Sequence, residues 1–132
     1  MNRFTSFLFA LLMAFVFTPA GMAKAKDFTV GKNTFLIGGK PIVIKAAEIH
    51  YPRIPREYWE HRMKMCKALG MNTVCIYIFW NIHEQKEGQF DFTGNNDIAA
   101  FCRLAQKNDL YVIVRPGPYV CAEWEMGGLP WW

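Results

Sequence analysis

Apolar positions change their period several times along the chain, and the changes mark out its elements. Residues 28–37 read as a short β-like stretch and Gly38-Gly39-Lys40-Pro41 as a turn. Residues 42–49, beginning Ile42-Val43-Ile44, form a strand candidate. Pro55 then opens a helix, since the missing N–H of a proline costs nothing at a first helical position. Glu57 and Glu60 lie at its start, where the helix dipole favours acids. Trp59, Met63, Cys66 and Leu69 recur at helical spacing as one apolar stripe, and Gly70 ends the helix. The run from Thr73 to Trp80 is nearly all apolar and rich in β-branched and aromatic residues, as in a strand covered on both faces. Asn95 and Asn96 offer N-caps for a second helix, whose apolar face holds Ile98, Phe101, Cys102 and Ala105. Residues 110–114, from Leu110 to Val114, form another buried strand, broken by Arg115-Pro116-Gly117-Pro118.

The order strand, helix, strand, helix, strand gives two βαβ units and parallel strands with right-handed crossovers. A doubly wound sheet and a (β/α)₈ barrel both begin this way. Each expected strand ends in polar and aromatic residues. The first ends at Glu48, His50 and Tyr51. The second carries Tyr77 and ends at Trp80, Asn81, His83 and Glu84. The third ends at Arg115, followed by Tyr119, Glu123, Trp124 and Glu125. In parallel α/β folds the strands' C-terminal ends build the active site. Carboxylates accept hydrogen bonds from hydroxyls, and flat rings cover the apolar faces of sugars. Glycoside hydrolysis itself uses a pair of carboxylates. By the residues alone, Glu48 and Glu123 are the candidate pair.

Residues 1–25 have the three parts of a signal peptide: Arg3, an apolar stretch from Phe4 to Phe17, and Ala23-Lys24-Ala25 after the helix breakers Pro19 and Gly21. Cleavage is expected after Ala25. The apolar stretch is shorter than the roughly 20 residues of a membrane span, so no stable membrane insertion is expected afterwards. The destination is the periplasm or the exterior.

Composition narrows the choice of partners. The chain has 132 residues and a net charge of +4, with acids and bases interspersed and no Lys/Arg run, which argues against nucleic acid. Four cysteines, Cys66, Cys75, Cys102 and Cys121, form no C-x-x-C pair and sit among apolar neighbours, so free buried thiols are expected. His50 and His83 stand apart, and no metal site or cofactor is expected. The signatures of serine hydrolases, P-loops and dinucleotide folds are absent.

Four blocks resemble a known family. They are Glu48-Ile49-His50-Tyr51 with Arg53-Ile54-Pro55-Arg56-Glu57-Tyr58-Trp59, Ala68-Leu69-Gly70-Met71-Asn72-Thr73, Trp80-Asn81-Ile82-His83-Glu84, and the long run from Arg115 to Pro130. In this order they resemble the N-terminal part of glycoside hydrolase family 35, the β-galactosidases. The resemblance implies a (β/α)₈ barrel, of which residues 26–132 hold only about three strands and two helices. It implies retaining hydrolysis of terminal β-linked galactose from oligosaccharides or glycans, with no cofactor. By the same resemblance Tyr77 contacts galactose, Ala122 and Glu123 bind its hydroxyls, and Cys121 adjoins them. Glu123 thus becomes a ligand and Glu48 shapes the pocket. The family's two catalytic glutamates match nothing up to Trp132. The expectation is therefore a chain that neither folds stably nor turns over galactosides alone. Two other readings stay open: a vestigial galactoside-binding protein, and a related barrel glycosidase of different sugar preference.

Overall fold

A computed structural model of the protein describes residues 26–132; the leader expected over residues 1–25 lies outside the described residues. The described residues divide into two compact units, one ending at Ile42 and the other spanning Val43–Trp132.

The described part of the first unit is an antiparallel meander of β1 (Phe28–Val30), β2 (Phe35–Ile37) and β3 (Lys40–Ile42). The expected stretch 28–37 is a hairpin rather than one element, because the Gly31 N–H closes a turn on the Thr34 carbonyl at 2.7 Å. In the next turn only Gly38 and Gly39 lie between the paired Ile37 and Lys40. Their φ values of 57° and 76° are those a two-residue hairpin loop requires. Lys40 and Pro41, expected in that turn, belong to β3, an edge strand of the kind that tolerates a proline.

The second unit has a parallel sheet of β4 (Ala46–Glu48), β5 (Thr73–Tyr77) and β6 (Tyr111–Arg115), in that order. The expected strand 42–49 is interrupted because Asn72 captures residues 43–45. Its side chain accepts from the Lys45 N–H at 2.9 Å and donates to the Val43 carbonyl at 2.8 Å. Between β4 and β5 runs α1 (Trp59–Ala68). It starts later than Pro55, which precedes a 3-10 turn over Arg56–Tyr58. Trp59, Met63 and Cys66 of the expected stripe are buried. Leu69 is 73% exposed, because the helix has ended before it and Gly70 turns the chain away at φ 81°.

β5 stops at Tyr77, three residues short of expectation. Phe79 is extended and buried, and Trp80–His83 wind into the short helix α2. The next helix, α3 (Ile98–Lys107), is capped by Asp97 rather than by Asn95 or Asn96. The Asp97 carboxylate accepts from the Ala100 N–H at 2.8 Å, while Asn95 accepts from the Arg56 N–H at 3.0 Å.

The sheet's alternation sets the core. Val74 and Ile76 of β5 are fully buried, with Trp59, Met63, Phe101 and Ala105 of the two helices in the same cluster. The Trp59 and Phe101 rings meet edge to face at 5.2 Å. The Trp59 indole N–H donates to the Ile54 carbonyl at 3.0 Å, so a large ring is buried without orphaning its polar tip. By the same alternation Glu48, Cys75, Tyr77, Ile113 and Arg115 share the opposite face. β6 was expected to be buried, yet Tyr111, Ile113 and Val114 are exposed because, among the described residues, no strand pairs beyond it. No helix among the described residues is long and apolar enough to cross a membrane.

Candidate active site

Parallel pairing brings the three strand ends to one edge. Glu48 is level with Cys75, and Cys75 with Ile113; two residues further, Tyr77 pairs with Arg115. The side chains meet across these ends. The Arg115 guanidinium lies over the Tyr77 ring at 4.1 Å and donates to Glu48 Oε2 at 3.3 Å. The His50 Nε2 contact to Glu48 Oε1 is 2.9 Å, and its Nδ1 faces Arg53 Nη1 at 2.8 Å. A guanidinium can only donate, so His50 accepts at Nδ1 and carries its proton on Nε2. Arg53 Nη2 then donates to the carbonyls of Ala122 and Glu123, at 3.0 and 2.9 Å. Its guanidinium covers the Trp124 ring at 4.7 Å. On the far side the Trp124 indole donates to Asn81 Oδ1 at 2.9 Å. One network thus runs from Tyr77 through Arg115, Glu48, His50 and Arg53 to the loop after β6.

That loop is tightly folded. The Glu123 N–H donates to the Cys121 carbonyl at 2.7 Å, and Glu123 itself stands at φ 50°. The Val120 N–H reaches the Gly127 carbonyl at 2.7 Å. Gly128, at φ 80°, has room for no side chain, because a Cβ there would stand 2.9 Å from Val120 Cγ2. Gly127 and Gly128 therefore serve the turn expected of them.

Of the four positions expected to meet the sugar, Tyr77 is 6% exposed, Ala122 is half-buried, and Cys121 and Glu123 are open to solvent. Arg115 pairs with Glu48 at 3.3 Å. Glu48 is held from both sides, by His50 and Arg115. Cys121 departs from the buried thiols expected, since it lies in the exposed loop; Cys66 is buried, and Cys75 and Cys102 are half-buried. Burial pushes the Cys75 thiol up, Glu48 adds to the effect, and Arg115 opposes it.

The rim residues of the second strand divide by role. The buried Glu84 accepts from the Trp80 indole at 2.5 Å and the Gly88 N–H at 2.7 Å. The buried His83 donates from Nδ1 to the Asp91 carbonyl at 2.9 Å and accepts the Tyr51 hydroxyl at Nε2 at 2.5 Å. Both are built into the framework. Asn81 instead faces an open groove of about 680 Å³ with Trp124, Glu125, Met126 and Trp131. No group of three or more His, Cys, Asp or Glu that could hold a metal ion occurs among the described residues.

The sequence reading missed Arg53 as a separate actor. The signal was a basic residue in the turn that follows the first strand end; its reach to the third loop required the folded geometry.

Carboxylates, guanidinium groups and aromatic rings at the C-terminal edge of a parallel sheet suit a carbohydrate-directed α/β protein. The comparisons define the family. Residues 34–132 match the model of glycosyl hydrolases family 35, and the chain belongs to that family. It is 48% identical over 123 residues to a β-galactosidase of Xanthomonas manihotis, covering 93% of this chain and 21% of that protein. It is 44% identical over 130 residues to a β-galactosidase of Canis lupus familiaris, covering 95% of this chain and 20% of that protein. It is also similar to β-galactosidase-1-like protein 2 of Homo sapiens, at 47% over 110 residues, or 83% of this chain and 16% of that protein. The chain thus spans about a fifth or less of the length of these relatives.

Proposed function

We propose that this chain is the opening of an exported β-galactosidase that releases terminal non-reducing β-D-galactosyl residues from oligosaccharides or glycans with retention. In this reading the parallel sheet is the first three strands of a (β/α)₈ barrel, and the face carrying Glu48, Tyr77 and Arg115 points into it. Tyr77 lies against the sugar. Glu123 accepts hydrogen bonds from galactose hydroxyls, Ala122 contributes backbone, and Cys121 lines the same loop. The observation that carries the proposal is the network joining Tyr77 to the Ala122–Glu123 backbone across three strand ends.

The acid/base and nucleophilic glutamates lie beyond Trp132. The acid protonates the glycosidic oxygen as the nucleophile attacks the anomeric carbon; water, deprotonated by the first residue, then displaces the glycosyl-enzyme bond. The residues described here bind and orient; they transfer no proton. Residues 1–25 direct export to the periplasm or exterior and are removed.

The test is turnover of a chromogenic β-galactoside by the product of the complete gene and by the 132-residue chain. Turnover by the former alone is expected. Galactoside turnover by the 132-residue chain would refute the placement of the catalytic pair. Saturable galactose binding by the complete product without hydrolysis would make it a binding protein.

A further inference from the structure

We infer that Arg53 is the positioning residue that holds the galactose-facing loop in shape; the inference rests on the β-galactosidase reading above. Glu123 stands in the left-handed region at φ 50° without being a glycine. Such a backbone persists only where its surroundings hold it. The hold is visible. One nitrogen of Arg53 donates to the Ala122 and Glu123 carbonyls, the two that flank Glu123, at 3.0 and 2.9 Å. The other nitrogen donates to His50 at 2.8 Å, and the guanidinium plane lies on Trp124 at 4.7 Å. The side chain is therefore fixed by His50 and by the Trp124 ring as well as by the two carbonyls. His50 is fixed in turn by Glu48, and Glu48 by Arg115, which rests on Tyr77. Through this series of contacts, movement of Tyr77 and of the Glu123 loop is coupled, although 46 positions separate them in the chain.

A lysine cannot substitute. Its single ammonium lacks the planar fork that serves two carbonyls and an imidazole together and stacks on an indole. An ordinary solvated arginine makes the opposite expectation, that the charge alone matters.

The test uses the product of the complete gene, with Arg53→Lys and Arg53→Ala. Three quantities are followed: KM and kcat for a nitrophenyl β-galactoside, the thermal midpoint, and amide hydrogen exchange over residues 121–126. Misplacing a binding group by about 1 Å can cost on the order of 100-fold. Arg53→Lys is therefore expected to raise KM by about tenfold or more, with kcat less affected, the midpoint nearly unchanged and exchange faster in that loop. Added guanidinium at non-denaturing concentration is expected to restore part of the binding to Arg53→Ala. An Arg53→Lys variant with the parent's KM and loop exchange overturns the inference. So does an Arg53→Ala variant whose defect guanidinium does not relieve and whose midpoint falls throughout the molecule. If Arg53→Ala does not fold, the lysine variant decides. If the parent protein turns over no galactoside, the galactosidase reading fails, and loop exchange in Arg53→Lys alone then supports or overturns the role of Arg53.

Discussion

Tyr51→Phe removes one oxygen from the pair that joins the first strand end to the second. The ring is fully buried, among Trp59, Phe79 and Phe101, and its hydroxyl donates to His83 Nε2 at 2.5 Å. The ring carbon skeleton is retained, so no cavity larger than one oxygen is made. The loss falls on His83. Its Nδ1 proton is committed to the Asp91 carbonyl, so Nε2 becomes a buried acceptor with no donor. Leaving such a group unsatisfied costs about 1–3 kcal/mol. That corresponds to a roughly 5- to 150-fold rise in the population of locally open molecules. The assay is native-state amide exchange in the complete gene product, followed at residues 59–66 of α1 and around His83. Exchange should accelerate by that factor in both segments and stay unchanged in the β1–β3 meander. Acceleration below about twofold in α1 and around His83 would refute the reasoning, because it would mean that His83 does not depend on this donor. The same variant has a pH signature. Burial pushes the Tyr51 hydroxyl well above its usual value of 10.0, with Cys102 adding to the shift. The unfolded chain ionises first, so this group's contribution to stability is complete below pH 10 and falls as pH rises beyond it. Tyr51→Phe should therefore flatten the alkaline limb of a stability–pH curve; an equally steep limb would assign that limb to other groups.

Four further outcomes are expected. Glu123→Gln keeps the shape of the loop but loses a charged acceptor, and should weaken galactose binding by about ten- to a hundredfold in a calorimetric titration of the complete product. Gly128→Ala forces a Cβ against Val120 at φ 80°, and should destabilise by more than about 1 kcal/mol, read as a lower thermal midpoint. The Ala100 N–H holds the Asp97 carboxyl below its usual range, with Arg56 assisting. The stabilisation is present above pH 3.8, the usual value, and is lost as pH falls through the lower folded value; exchange at the first turn of α3 should rise there, and Asp97→Ala should abolish that dependence. The mature protein recovered outside the cytoplasm should begin at Lys26, which N-terminal mass spectrometry reads directly.

The periods of apolar residues showed where the sheet and the two long helices lie, because each must cover one face. Val74 and Ile76 alternate onto the helices, and Trp59, Met63 and Cys66 follow the turns of α1. What composition could not show was competition for backbone partners. Asn72 captures the segment before β4, and Asp97 outcompetes the neighbouring asparagines for the start of α3. Both choices depend on residues brought close only by folding. Leu69 kept the helical period but fell beyond the helix end, where period no longer determines burial. The strand-end residues were visible as a group from their repeated placement. Their order in the network was not, because it depends on which nitrogen faces which oxygen.

The ties that build this network are among the longest in sequence. Glu48 waits for Arg115, 67 positions later, and Arg53 waits for Ala122 and Glu123, 69 and 70 positions later. The turns of α1 and α3 close over four residues and can form as the chain emerges. At a synthesis rate of about 5–20 residues per second, Arg53 spends roughly 4–14 s exposed before its carbonyl partners exist. Long-range pairing also bears the largest loop-closure cost and tends to come last. During that interval the first strand end presents Glu48, His50 and Arg53 to water as ordinary solvated groups. Their chemical individuality is acquired when the third crossing is complete, so the state of this cluster reports whether the first three parallel strands have come together.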